Sequence, residues 1–250
     1  MSDLLQTLLA ERDYLVADGA TGTNLFEAGL MTGDSPELWN ADHPDRIAAL
    51  HQGMVDAGAD IVLTNTFGCN RYRMMLHGAQ DRVAELNIAG ARIARQVAAA
   101  AGRPVVVAGS MGPTGEIYQP VGTLSIEDGT AAFAEQARAL AEGGVDVLWI
   151  ETMSGKEELE AAVAGAAVAG LPIVATMTFD TNGRTMMGLA PDAAIQFAHT
   201  LDAGLVAFGS NCGIGPAALV DSVLGISGAA NEGDVIVAKG NCGIPQYHDG

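Results

Sequence analysis

The sequence predicts an α/β fold, a (β/α)8 barrel of the TIM type, on three observations. Short apolar runs alternate with helix-period segments, seven strands against six helical stretches at roughly 30- to 45-residue spacing, the rhythm of a parallel sheet with crossover helices. The chain has 250 residues, about the length of one such barrel. Each strand leaves through glycine-rich, polar residues, and the C-terminal rim of a barrel is where its chemistry sits. Seven strands are one short of eight, so the expectation is a single domain over 1–250 that lacks its eighth β/α unit and is truncated at its C-terminus.

The elements follow in order. Ser2 to Asp13 read as a helix with Leu4, Leu5, Leu8 and Leu9 on one face. Tyr14–Asp18 read as the first strand, ending in a carboxylate before the loop Gly19-Ala20-Thr21-Gly22-Thr23. Asp18 fits two roles, a turn residue beside glycine or a substrate-binding group at a strand tip. Asp45–Gly58 read as a helix, and Asp60–Leu63 as the second strand, leaving through Thr64-Asn65-Thr66-Phe67-Gly68. Three consecutive polar side chains there face a ligand or cap the next element. A helical region runs from Asn70 to Gly102.

Pro104–Ser110 read as the third strand, leaving through Met111-Gly112-Pro113-Thr114-Gly115-Glu116. A helix from Ser125 to Gly143 begins with Ser125 as its cap and Asp128 three residues on. Val145–Glu151 is the fourth strand. A glutamate closing a buried run is costly unless it is paired or faces a polar cavity; the alternative is a dipole partner for the following helix, Lys156–Ala169. Pro172–Phe179 is the fifth strand, followed by a turn at Asp180–Arg184 and a helix at Pro191–Ala203. Gly204–Phe208 is the sixth strand, leaving through Gly209-Ser210-Asn211-Cys212-Gly213-Ile214-Gly215-Pro216. Cys212 is expected on irregular backbone just past the strand, with Pro216 opening the next helix. Asp234–Lys239 is the seventh strand. Its exit, Asn241-Cys242-Gly243-Ile244, repeats the exit of the sixth.

Composition narrows the function classes. Thirty acidic against twelve basic residues give a net charge of −18, a surface that repels nucleic acid and anionic membranes. Apolar runs break before the roughly 18 residues that a membrane helix needs, and the start carries no export signal. Three scattered cysteines, Cys69, Cys212 and Cys242, do not make a disulfide framework and fit a reducing, cytoplasmic setting. Gly19 and Gly22 lack the third glycine of a dinucleotide fingerprint, and no phosphate loop is present.

Five motifs, in order along nearly the whole chain, resemble the homocysteine S-methyltransferases. They are Asp18-Gly19-Ala20-Thr21-Gly22-Thr23, Thr64-Asn65-Thr66-Phe67, Gly109-Ser110-Met111-Gly112-Pro113-Thr114-Gly115, Glu151-Thr152-Met153 and Ser210-Asn211-Cys212-Gly213. That family includes the homocysteine-binding module of cobalamin-dependent methionine synthase and the betaine–homocysteine methyltransferases. The resemblance implies a zinc-dependent barrel in which the metal holds the homocysteine sulfur as a thiolate, the form that attacks a methyl group. It implies Cys212 as a zinc ligand and Asp18 and Glu151 as the pair that holds the substrate's amino group. Thr64, Asn65, Thr66 and Asn211 would line the same pocket. Methyl donors consistent with it are betaine, S-methylmethionine, or a methyl-corrinoid or methylfolate on a separate protein.

One departure bears on the metal. The family supplies two further thiolates from a Gly-Gly-Cys-Cys motif after the last strand, and the sequence here stops at Gly250 without one. Cys242 stands where the family has alanine. Three explanations stay open: the other ligands lie beyond Gly250, which is preferred; Cys242 joins Cys212 in a rearranged site; or zinc has been lost. His248 reads as a tail histidine and Cys69 as a bystander. The alternative to a methyltransferase is a non-catalytic subunit that binds homocysteine or a related thiol amino acid without a complete zinc site. A further option is methyl transfer to another thiol or a selenol.

Overall fold

Parallel pairing in strict chain order organises the protein. The computed structural model describes residues 4–243. Within them six strands form one all-parallel sheet: β1 (Ile61–Leu63), β2 (Val106–Met111), β3 (Val147–Met153), β4 (Ile173–Met177), β5 (Ala207–Cys212) and β6 (Ile236–Gly240), each paired with the next. Sequential order with a crossover at every step curls a sheet into part of a barrel.

Helices α1 (Leu4–Glu11), α2 (Gly22–Glu27), α3 (Trp39–Asp42) and α4 (Pro44–Asp56) precede β1, and α5 (Arg71–Met75) and α6 (Val83–Ala100) follow it. Then α7 (Ile126–Gly143), α8 (Lys156–Ala167), α9 (Pro191–Ala198) and α10 (Pro216–Gly228) each lead to the next strand. Alternation along the strands divides the core. Val62, Val107, Leu148, Ile150 and Phe208 pack with Phe133, Leu140 and Leu159 of the helices. Ile61, Leu63, Val106, Ala108, Val147, Trp149 and Val174 form a second cluster with Leu5 and Leu8 of α1. The N-terminal helix thus packs its leucine face on the inner surface of the sheet.

Local chemistry accounts for several boundaries. Ser125 caps α7: its Oγ accepts from the Asp128 N–H at 3.0 Å and donates to the Asp128 carboxylate at 2.7 Å, as the sequence predicts. Pro216 occupies the first turn of α10. The expected single helical region from Asn70 to Gly102 is instead split into α5 and α6. Gly78, at φ +64, turns the chain between them, and Asn70 caps α5 by accepting from the Arg73 N–H at 3.1 Å. Helices α2 and α3 and the turn Pro36–Leu38 lie in a stretch with no periodic signal.

Two strand expectations are corrected. Tyr14–Asp18 is not a full strand; it makes one parallel bridge, Ala17 to Ile61. The Ile61 N–H donates to the Val16 carbonyl at 3.1 Å, but the next donor, the Leu63 N–H, goes to the Asp18 carboxylate at 2.7 Å. A side-chain oxygen replaces the main-chain acceptor there, and the ladder ends. The sixth expected strand, Gly204–Phe208, lies three residues early. β5 starts at Ala207 and continues through Cys212, with Ser210 paired to Met177 and Asn211 to Lys239. Gly209 does not break it: a Cβ there would come within 1.9 Å of the Val237 carbonyl oxygen, so the glycine permits close strand approach.

Among the described residues no backbone hydrogen bond joins β6 to the Tyr14–Asp18 segment. The two are linked by an ion pair, Lys239 Nζ to Asp18 Oδ1 at 3.6 Å. A cavity of about 500 Å³, lined by Leu5, Tyr14, Trp149, Val235 and Val237 among others, lies between them. No helix among the described residues is long and apolar enough to cross a membrane.

Candidate active site

A cavity of about 430 Å³ opens where the strands end. Its walls come from the Gly19–Thr23 loop and from Phe26, Glu37, Thr64, Asn65, Phe67, Ser110, Glu151, Thr152, Cys212, Lys239 and Asn241. Strand ends β1, β2, β3, β5 and β6 therefore meet in one place. The volume suits a small molecule, and the wall divides into a charged end and a sulfur end.

The charged end is built on two buried carboxylates. Asp18 is 7% exposed and lies behind the wall, paired with Lys239, which does line the cavity. One carboxylate oxygen takes the Leu63 N–H; the other, Oδ1, has no hydrogen bond and faces the Lys239 ammonium. Glu151 lines the cavity and accepts from the Ser110 hydroxyl. Burial pushes the Asp18 carboxyl up to about 6; Lys239 and the Leu63 N–H pull against that, and the Glu151 charge adds to it. Burial also raises the Glu151 carboxyl, with Lys239 and Ser110 opposing. Two carboxylates served by one ammonium leave negative potential for a second cation.

At the sulfur end, β3 runs two residues past Glu151, with a register shift against β4 between Ile150 and Met153. Thr152 in this bulge has φ +65, and Cys212 across from it has φ +56. A β-branched residue rarely adopts that region, and such strain collects at functional sites. Asn211 holds the pair together. Its Oδ1 accepts the Thr152 N–H at 2.9 Å, and its Nδ2 donates to Thr152 Oγ1 at 2.7 Å and to Cys212 Sγ at 3.3 Å. Since Thr152 Oγ1 already accepts, its own O–H is free to point at the sulfur, 3.6 Å away. Burial raises the Cys212 thiol, and the Thr152 hydrogen bond opposes that.

The expected site residues thus take different places. Glu151 and Cys212 share the cavity wall with Thr64 and Asn65. Asn65 commits its amide to the scaffold, donating to the Pro36 carbonyl at 2.8 Å and to Asn40 Oδ1 at 3.0 Å. Thr66 lies fully buried behind Thr64, its hydroxyl donating to the Ser110 carbonyl at 2.8 Å. Asn211 also lies behind the wall, gripping Thr152. Cys242 is exposed and does not line the cavity; Cys69 is buried in a separate apolar cluster. His248 lies outside the described residues.

Among the described residues no three His, Cys, Asp or Glu side chains gather in a way that could hold a metal ion. A structural or catalytic zinc takes three or four protein ligands; the cavity presents one thiol. The described residues alone do not fit a zinc site.

Four wall residues were missed in the sequence. Lys239 had a signal: one of only two lysines, it ends an apolar strand just as Glu151 does. Ser110 stood inside a recognised motif without an assigned partner. Glu37, which accepts the Gly68 N–H at 2.7 Å, lies in the stretch without periodicity. Thr152 owes its role to a backbone angle that residue type does not announce.

The sequence profile of the family described as Homocysteine S-methyltransferase matches residues 15–250. The chain is 33% identical over 241 residues to methionine synthase of Mycobacterium tuberculosis, covering 90% of this chain and 20% of that protein. The methionine synthase of Mycobacterium leprae gives the same figures. The chain therefore spans about one fifth of the length of the curated relatives it matches. Among solved structures, the metallated form of the homocysteine methyltransferase MmuM from Escherichia coli superposes with a TM-score of 0.76 at 24% identity, over 96% of this chain and 95% of that one. Its oxidized form gives 0.75 at 23% identity, over 96% and 94%. At that identity the likeness is one of fold.

Proposed function

From the premise that this chain belongs to the homocysteine S-methyltransferase family, we propose that its cavity binds homocysteine and presents the sulfur for methylation to methionine. The observation that carries the reading is that Glu151 and Cys212 share one cavity wall with Lys239, whose ammonium pairs with Asp18 just behind that wall. Asp18 and Glu151 receive the substrate ammonium, since paired charges with their hydrogen bonds made are the strong contacts of a buried site. The far end of the substrate, its sulfur, then lies toward Thr152 and Cys212. The apolar walls of Phe26, Leu63 and Phe67 face the methylene carbons.

Zinc enters the reading only as a ligand question. Cys212 is the donor this cavity offers to a soft metal, and the remaining donors would come from outside the described residues. Cys242, though exposed, belongs to the same question. The gap between β6 and the Tyr14–Asp18 segment is where a further strand of a closed barrel would lie. Betaine, S-methylmethionine, and a methyl-corrinoid or methylfolate carried by another protein are the donor classes to assay.

The test is binding of homocysteine to the purified chain under reductant, followed by methyl-acceptor assays with each donor class. Binding should weaken about 100-fold in Glu151→Gln, which removes a charge-assisted contact. Retention of full affinity in that variant would sink the proposed orientation.

A further inference from the structure

We propose that Lys239 recognises the substrate's α-carboxylate, releasing Asp18 to the incoming ammonium and taking the carboxylate in exchange. This rests on the homocysteine-binding reading above and extends it to the second charge of the amino acid.

Four observations support the exchange. Among the described residues that line the cavity, Lys239 is the only cation, beside the acidic Glu37 and Glu151. Without Lys239, a carboxylate brought into that wall would meet uncharged groups and two carboxylates and no positive charge. Second, the Lys239 backbone is fixed: it pairs in register with Asn211 of β5, next to Cys212. Its side chain is 21% exposed and reaches the cavity from a rigid strand. Third, the ammonium is not saturated. It stands 3.6 Å from Asp18 Oδ1, beyond the roughly 2.7–3.2 Å of a full N–H···O bond, so its three donors remain available. Fourth, Asp18 Oδ1 has no hydrogen bond of its own. It is an acceptor held in reserve for a better donor than Lys239 at its present distance.

The chemistry of an α-amino acid fits these facts together. Its ammonium and carboxylate sit on one carbon, so they must be received by opposite charges that are themselves neighbours. Asp18 and Lys239 are such neighbours. On binding, one ion pair separates and two form, with no net charge buried. The class of ligand selected is a zwitterionic thiol amino acid, and simple aminothiols are disfavoured.

The experiment compares two ligands on three forms of the full chain. Homocysteine and 3-aminopropane-1-thiol share the amine and the thiol and differ only in the carboxylate. Equilibrium dialysis under reductant should show the unaltered protein preferring homocysteine by about 10- to 100-fold, the scale of one charge-assisted pair. In Lys239→Met the preference should collapse to within about threefold, chiefly through weaker homocysteine binding. Lys239→Arg should keep most of it, and its thermal melt should match the parent. A Lys239→Met variant that loses equal affinity for both ligands would overturn the inference, because Lys239 would then serve only to support Asp18. A Lys239→Arg variant that folds but shows no preference would overturn it too, whether or not Lys239→Met folds. If the unaltered protein binds aminopropanethiol as well as homocysteine, the inference falls and the binding reading stands. Binding of neither ligand overturns both.

Discussion

The exits of β5 and β6 carry the same four residues, Asn-Cys-Gly-Ile, and the fold uses them differently. Asn211 is buried and spends its amide on Thr152 and on the Cys212 sulfur. Asn241 is exposed and donates to the Gly213 carbonyl at 3.1 Å, while its N–H donates to the Cys212 carbonyl at the same distance. Cys212 therefore stands in the cavity between two side-chain donors, and Cys242 stands in solvent. The difference comes from the neighbours. β5 has the bulged end of β3 near its tip, with a hydroxyl to grip; among the described residues β6 pairs with no strand but β5. The repeated residues do not even fix one backbone, since Cys212 takes φ +56 and Cys242 no positive φ; the adjoining strand decides which exit becomes a site.

The strongest way to break this contrast is to exchange sulfur for hydrogen at each exit. Cys212→Ala should lower kcat/KM for homocysteine methylation by about a thousandfold, within the range for losing a group in the reacting assembly. Cys242→Ala should change it less than about threefold. Equal losses in a steady-state assay would return Cys242 to the site.

A second test reads the charge beneath the β6 exit. Asp18 titrates at about 6 in the folded protein against 3.8 as the ordinary value, so the folded state holds the extra proton between those limits. Its contribution to stability is present below about pH 4 and is lost as pH rises through 6, by about 3 kcal/mol. Asp18→Asn removes that loss. Urea unfolding of parent and variant at the two ends of the window should show the parent falling relative to the variant as pH rises; a constant difference would show that Asp18 is not held as described.

Third, Asn211→Ala leaves the half-buried Thr152 N–H without its partner and should cost about 1–2 kcal/mol, whereas Asn241→Ala, in water, should cost under about 1 kcal/mol. Denaturant midpoints distinguish them. Smallest is the strain at Thr152. Thr152→Ser keeps the hydroxyl and sheds the β-branch that its positive φ penalises, and should gain about 0.5 kcal/mol with activity retained. Thr152→Val should lose activity instead, since it keeps the strain and removes the donor.

How far the sequence carried the reading differs between parts of the chain. Parallel order and most helices were legible, because apolar runs and helical periodicity survive in any sequence that must bury them; Ser125 and Pro216 marked their helix starts correctly. The sites of failure share a cause. At Asp18 a side chain took over a main-chain hydrogen bond, and at Gly209 a glycine served contact rather than a turn. Neither is visible without the partner strand. In the site, Glu151 and Cys212 were legible as polar groups closing apolar strands. Lys239 followed the same rule and was passed over. Asn211 and Thr66 were noticed, but that they lie behind the wall rather than on it follows from packing. Thr152 stands in a recognisable motif, but its leverage comes from a torsion angle.

The seam at Gly209 sets a limit on redesign. Widening the chamber for a bulkier acceptor is feasible at Phe26 or Phe67, whose rings can be trimmed without moving a strand. Any side chain at Gly209 would instead wedge β6 away from β5 and carry the lysine out of reach of its carboxylate. The position with the least chemistry of its own is thus the one where the chamber has no tolerance for change.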